Sequence, residues 1–364
     1  MVGILSLAPT GKYQNEIHDS ILKTLMCNID DAMFINLLQR DPSFIESSRV
    51  ANLNSMIRSE IKGKHFGDLH DFKVNIKESL KKFNLMIVVR MPLLGNISSK
   101  DNSLILAYKN NVEEQKVNYK FMTTLNIFIR LAILEVLEEL NVNLIQIKID
   151  PQEYSIETDF AFKNYTCYFI NNRANMKYMP MYINQMFKSI KEGNLVECRS
   201  KDIFAIATCL SDDRKDLPQK FDGIICDNID IRFITKENNR KARVKQSDYY
   251  ELLRGAKYTI IFKPYQHDSF SSIRFIEAIL NGCVPLIMND CDLSELKETY
   301  LDLYELVLKY NLVVSSIDVK TRIQKYDYDK NFIDEAMSSD SITKEINDKK
   351  VKKFFERMVE KYDV

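Results

Sequence analysis

"KYTIIFKPYQHDSFSSIRFIEAILNGCVPLIMND", residues 257–290, reads as strand, helix, strand. The apolar run at 257–264 ends at Pro264, and a second run follows at 284–290. Between them a helix is expected to begin near Ser271 and to stop at Gly282, a residue suited to the left-handed position after a helix. Apolar strands joined through helices argue for a parallel sheet covered on both faces. In such a sheet ligands bind at the carboxyl ends of the strands, where a helix N-terminus offers free N–H groups and the positive end of its dipole. Arg274 and Glu277 stand one turn apart at the mouth of this helix. Their spacing is that of an ordinary i,i+3 ion pair. It also presents a guanidinium for phosphate and a carboxylate for two vicinal hydroxyls, which together describe a nucleotide with its ribose.

The same grammar extends in both directions. "DIFAIATC" at 202–209, "IDIRFIT" at 229–235 and "NLVVSS" at 311–316 are further strand candidates, with helical patterns in "SDYYELLRGA" and "SELKETYLDLYELVLKY". Upstream, "VGILSLAP" at 2–9, "LMIVVRMP" at 85–92 and "LIQIKID" at 144–150 read as buried strands, the last preceded by a helix over 123–140. The expectation is an α/β protein with two Rossmann-like, doubly wound domains facing a central cleft. They span 1–170 and 201–340, with a passage at 171–200 that lacks periodicity and a C-terminal amphipathic helix over 341–364.

With 364 residues the chain suits two domains of ordinary size, and 45% hydrophobic with 28% charged residues is a folding composition. Lys plus Arg and Asp plus Glu number 51 each, so no global field holds a polyanion, and any nucleic-acid contact needs a local patch. The seven cysteines form no CxxC pair, which points away from a zinc site or a disulfide framework. No basic n-region precedes the apolar start "MVGILSLAP", and no run approaches a membrane span, so a cytoplasmic protein is expected. Its oligomeric state is left open.

The segment "SSIRFIEAILNGCVPLIMND" resembles the donor-binding segment of GT-B glycosyltransferases: serines, a Glu within the helix, then Gly-Cys and Val-Pro before a strand. The likeness covers residues 246–292 in detail and the remainder as architecture. Within that superfamily the chain is most similar to the phage DNA β-glucosyltransferases that modify hydroxymethylated bases. The resemblance implies a UDP-sugar donor, with UDP-glucose first, held by the second domain, and an acceptor on double-stranded DNA met by the first. It implies single displacement with inversion. Ser271, Ser272, Arg274 and Glu277 would hold the nucleotide, with Arg214 and Lys215 of "IATCLSDDRKD" on the diphosphate. Asp150 of "LIQIKIDPQEY" matches the family's catalytic Asp after the last strand of the first domain. Where the family carries a glycine-rich loop with two arginines, this chain has Asp212 and Asp213 beside the basic pair.

Gly11 and Lys12, in the loop after the first strand, are candidates for the approaching acceptor or sugar. "NNRKARVKQ" at 238–246 contains Arg240, Lys241, Arg243 and Lys245 without an acid; it suits DNA phosphates, the donor diphosphate or a solvated loop. Asp290 and Asp292 form an Asp-x-Asp triplet of the kind that holds a divalent metal in GT-A enzymes. Following the Val-Pro strand, it is read as a loop or helix cap, so no metal ligand is assigned. "HFGDLH" at 65–70 is read as a solvated loop, and Tyr249 and Tyr250 as packing residues. Two other functions fit the same residues: a GT-B enzyme acting on a surface polysaccharide, and a non-catalytic protein that binds a nucleotide-sugar or DNA.

Overall fold

The computed structural model describes residues 1–6, 15–36, 45–52, 67–89, 106, 108–110, 121–148, 156–169, 177–178, 199–209, 214–224, 227–235, 238, 244, 246–263, 272–325, 329–346 and 348–362. The chain divides into two compact units. One comprises Met1–Ile170, Met176–Tyr182 and Val351–Val364, the other Asn171–Asn175 and Ile183–Lys350.

In the first unit β1 (Val2–Ser6), α1 (Asn15–Asn28), β2 (Ala32–Asn36), β3 (Val50–Asn52), α2 (Gly67–Leu80), β4 (Leu85–Val89), α3 (Phe121–Glu139), β5 (Asn143–Lys148), β6 (Asn164–Phe169) and β7 (Lys177–Tyr178) follow in order. The sheet runs β3-β2-β1-β4-β5-β6-β7 and every pairing is parallel. Its first five positions have the Rossmann order 3-2-1-4-5, which reverses between β1 and β4. Strands β1, β4 and β5 are buried along their whole length, as expected of strands covered on both faces, although β5 carries Asn143, Gln146 and Lys148.

The helices cover both faces. Met86, Val88, Leu144 and Leu5 pack with Phe72 and Ile76 of α2 and with the buried run Ile127–Leu137 of α3. Lys73 and Lys77 of α2 pair with Glu135 and Glu139 on the outer side of α3 at 2.8 and 2.6 Å. Gly3 lies in this layer because a Cβ there would come within 2.8 Å of the Met86 sulfur. On the opposite face, the Tyr362 hydroxyl donates to Thr166 Oγ1 at 2.5 Å, and Phe354 meets Tyr168 edge-on. The last residues of the chain thus complete the first unit.

In the second unit β8 (Lys201–Thr208), α4 (Leu217–Lys220), β9 (Ile229–Ile234), α5 (Gln246–Arg254), β10 (Ala256–Ile261), α6 (Ser272–Leu280), β11 (Val284–Met288), α7 (Ser294–Thr299), α8 (Leu301–Lys309) and β12 (Val313–Val314) lead into α9 (Asp318–Lys325), α10 (Lys330–Ser338) and α11 (Asp340–Ile346). The parallel order is β12-β11-β10-β8-β9. Numbered within the unit this is 5-4-3-1-2, the flavodoxin-type arrangement whose order reverses between β8 and β10. Gly282, at φ 66°, closes α6: its N–H donates to Ile279 O and that of Cys283 to Ala278 O, both at 2.8 Å. These are the two bonds of a Schellman cap.

The structure departs from the sequence reading in four places. In place of one terminal helix over 341–364 there are two described helices, α11 ending at Ile346 and α12 running Asp348–Glu360, and Asn347 lies outside the described residues. The pattern 294–310 divides at Tyr300, whose non-helical backbone, at φ −134° and ψ 61°, separates α7 from α8. Of "HFGDLH", Gly67–His70 form the first turn of α2 rather than a loop. Strands β2, β3, β6 and β7 were not read; β7 lies in the stretch 171–200 and is held by its pairing with Phe169 and Tyr168 of β6.

Asp302, in the first turn of α8, accepts hydrogen bonds from the Leu303 N–H at 2.9 Å, the Ser341 N–H at 2.8 Å and the Ser341 hydroxyl. Burial alone would raise its pKa, but these bonds hold the carboxyl below its usual range. A depressed pKa stabilises the fold above the unfolded-state value, and that stability is lost as the pH falls through the folded one. Asp302→Ala is therefore expected to cost about 1–3 kcal/mol in urea melts at neutral pH, the scale of hydrogen bonds to a charged group. The gap from the native protein should narrow below roughly pH 4.

Candidate functional site

The candidate site of the second unit is built at the carboxyl ends of β8, β10 and β11. α5 and α6 run antiparallel to these strands, so their first turns lie at the same edge. Their relative register is locked at the far end. Arg199 donates to Leu253 O in the last turn of α5, to Ala256 O at the start of β10 and to Asn281 O after α6, while Arg254 Nε donates to Asn281 Oδ1 at 3.1 Å. Asn281 Nδ2 in turn donates to Glu277 O at 2.8 Å.

This clamp brings a four-residue group together. Arg274 Nη1 lies 2.6 Å from Glu277 Oε2, and the Tyr250 hydroxyl donates to Glu277 Oε1 at 3.1 Å. The Arg274 guanidinium stacks over the Tyr249 ring, 4.8 Å from its centroid. Tyr249 rests on Phe204 of β8. The pair is asymmetric: the Glu277 side chain is 1% exposed and that of Arg274 is 50% exposed. An exposed i,i+3 pair is worth little, whereas a carboxylate this deeply buried needs its partners. Burial lifts the Tyr249 phenol far above its ordinary pKa, with Arg274 opposing and Glu277 adding.

A second group gathers at the switch point between β8 and β10. Arg214 Nη1 donates to Thr208 O, the last residue of β8, at 2.9 Å. The Cys291 thiol lies 3.8 Å from Ile261 O at the end of β10. Burial first, then Asp290, pushes that thiol up to about 12, against the opposing charges of Arg214 and Lys263. Arg214 and Lys263 thus share one strand edge. Lys263 was missed in the sequence, although a Lys two residues past an apolar strand is the signal that could have found it. Cys283, also pushed up to about 12 by burial, is a packing thiol.

The structure brings Arg214, Arg274 and Glu277 to this edge of one unit, with Ser272 as the first residue of α6 and Lys215 exposed beside Arg214. Asp150, Ser271, Gly11, Lys12, Arg240, Lys241, Arg243 and Lys245 lie outside the described residues. Asp292 accepts from the Ser294 N–H and hydroxyl, each at 2.9 Å, and so shapes the turn into α7 as the sequence reading held. Among the described residues no three His, Cys, Asp or Glu side chains gather as metal ligands, and no helix is long and apolar enough to cross a membrane. Tyr249 and Tyr250 pack as expected, but their contacts with Arg274 and Glu277 carry no sequence signal.

No family model matches the chain, and no curated protein matches it. Among solved structures it is similar to a mutant O-GlcNAc transferase of Thermobaculum terrenum, with TM-score 0.46 and 8% identity over 99% of this chain; the chain spans 66% of that protein's length. It is also similar to the glycotransferase of kitacinnamycin, at TM-score 0.35 and 9% identity over 99% of this chain and 98% of that one. For CalG4, the calicheamicin glycosyltransferase, the TM-score is 0.32 and the identity 9% over 99% and 97%. The functional reading therefore rests on this chain's own residues.

Proposed function

We propose that the protein is a glycosyltransferase that moves a sugar, glucose first, from a UDP-sugar to the hydroxyl of a hydroxymethylated base in DNA. The observation that supports this most is the convergence of Arg214, Lys263 and the Arg274–Glu277 pair at the carboxyl edge of a doubly wound sheet. The cations and the start of α6 suit a diphosphate, and Glu277 suits ribose hydroxyls. Arg274, half exposed, would turn from Glu277 toward the diphosphate as the ribose takes its place.

Asp150 is the proposed general base. It takes the acceptor hydroxyl proton while that oxygen attacks the anomeric carbon, whose bond to the diphosphate oxygen breaks. The bonding pair leaves with UDP, and Arg214, Lys263 and Arg274 stabilise the charge that develops there. One displacement inverts the anomeric centre.

The test is incubation with radiolabelled UDP-sugars and DNA containing hydroxymethylcytosine, hydroxymethyluracil or ordinary bases only. Label in modified DNA alone supports the reading. Label in polysaccharide instead moves the acceptor, and binding of UDP without any turnover makes the protein a non-catalytic binder. If the basic run at 240–245 meets DNA phosphates, neutralising Arg240, Lys241 and Arg243 is expected to flatten the salt dependence of DNA binding, by about one slope unit per contact, and to leave UDP affinity unchanged. Equal loss of both affinities would assign the run to the donor.

A further inference from the structure

A cavity of about 290 Å³ lies in the first unit, walled by α2 and α3 and by residues 108–109 and 159–160. Its volume is at the low end of small-molecule sites. α3 leads into β5, and Asp159 and Phe160 stand just ahead of β6, so the cavity lies toward the amino ends of the strands. That edge is opposite the one where open α/β sheets carry their reacting ligands.

The lining is part apolar and part charged. Leu131, Phe160 and the ring of Tyr108 form the apolar part. Tyr108 is held edge-on against Phe128, with ring centroids 5.3 Å apart. Beside them stand three carboxylates, Glu135, Glu138 and Asp159, and two cations, Lys73 and Lys109. Each cation has its partner within the wall: Lys73 Nζ lies 2.8 Å from Glu135 Oε2, and Lys109 Nζ lies 2.7 Å from Asp159 Oδ1. The carboxylates outnumber the cations by one, and the unused acceptor capacity belongs to particular atoms. Glu135 Oε2 takes both of that residue's donors, Lys73 and the Tyr108 hydroxyl, whose pKa is raised by burial and then by Glu135 itself. Glu138 accepts the Ala161 N–H through Oε1. No donor among the described residues reaches Glu135 Oε1 or Glu138 Oε2. A three-residue step along α3 puts the two side chains on one face of the helix, and both line the cavity.

Carboxylate oxygens beside an aromatic and aliphatic wall suit a cation that brings its own N–H donors and an apolar body. A bare divalent ion fits less well, because no three His, Cys, Asp or Glu side chains among the described residues gather as metal ligands. We propose that this cavity binds a small primary ammonium compound. Its nitrogen donates to Glu135 Oε1 and Glu138 Oε2, and its hydrocarbon chain rests on Leu131, Phe160 and the Tyr108 ring. The site does not rest on the sugar-transfer reading.

The probe is n-butylammonium chloride added to the full chain, with tetramethylammonium chloride and sodium chloride at equal ionic strength as controls. Tetramethylammonium has the same charge and an apolar surface but no N–H donor. Half-exposed ion pairs are weak, so a Kd on the order of a millimolar is expected, read from the slowing of hydrogen exchange in peptides covering 67–80 and 127–140. Glu138→Gln keeps an acceptor for the Ala161 N–H and removes the charge, and should raise the Kd about fivefold. Lys73→Met removes the cation that competes for Glu135 and should lower the Kd about twofold, a gain that damage to the fold would not produce. The site is overturned by no slowing beyond that in sodium chloride, by equal slowing with tetramethylammonium, or by an unchanged Kd in Glu138→Gln. Should that variant not fold, a Kd that is not lowered in Lys73→Met overturns it.

Discussion

Glu277→Ala is expected to weaken UDP binding by about 1.5–3 kcal/mol, the scale of hydrogen bonds to a charged acceptor. That is roughly a 10- to 150-fold rise in Kd, read by calorimetric titration. The helix itself tolerates Ala, and the Schellman cap at Gly282 does not involve the side chain. The variant also removes the acceptor of both Arg274 and the Tyr250 hydroxyl, so a loss of stability accompanies the loss of affinity. Tyr250→Phe separates the two effects. It deletes one hydrogen bond to Glu277 and no charge, so about 0.5–1.5 kcal/mol of stability should go while UDP affinity stays near native. Unchanged UDP affinity in a folded Glu277→Ala protein would return the Arg274–Glu277 pair to a purely structural role.

Asp150→Asn is expected to lower turnover roughly 100-fold or more with UDP affinity retained, because it keeps the size of the side chain and removes its basicity. A stiff backbone before Pro151 makes collapse of the fold a poor explanation of lost activity. The decisive comparison is between rate and binding, measured on the best acceptor from the labelling experiment. Native turnover in Asp150→Asn would move the proton to another group, with Glu153 and then Asp159 next to be replaced. Of these, Asp159 already pairs with Lys109 at 2.7 Å, so its replacement should carry a small cost of its own.

The central strands were legible because strands buried on both faces are rich in apolar residues: β1, β4 and β11 are near-continuous apolar runs, and β5 and β10 keep enough of the pattern to be read despite Gln146, Lys148 and Thr259. The end of α6 was legible for a different reason, since a left-handed backbone position favours Gly, and Gly282 occupies one. The edge strands β3, β7 and β12 were hard to read or invisible, being two or three residues long and held by pairing with a neighbour rather than by their own pattern. Tyr300 interrupts a helical pattern whose apolar periodicity runs straight through it.

Local pattern thus determined that this protein is α/β, with parallel sheets, strands in the order of their apolar runs and an Arg and a Glu one turn apart at a helix mouth. Those are consequences of period, burial and propensity within a dozen residues. Tertiary structure alone decided the strand order, and with it the switch point between β8 and β10, where Arg214 and Lys263 both act on the Cys291 thiol. It decided that Glu277 is buried beneath Arg274 and Tyr250, because α5 and α6 are registered by Arg199 and Arg254 through Asn281. It also buried Arg130 of α3, whose other charges, Glu135, Glu138 and Glu139, lie in its last two turns and are half-buried or exposed. A side chain's surroundings depend on what packs against it from distant sequence, and no local period encodes that.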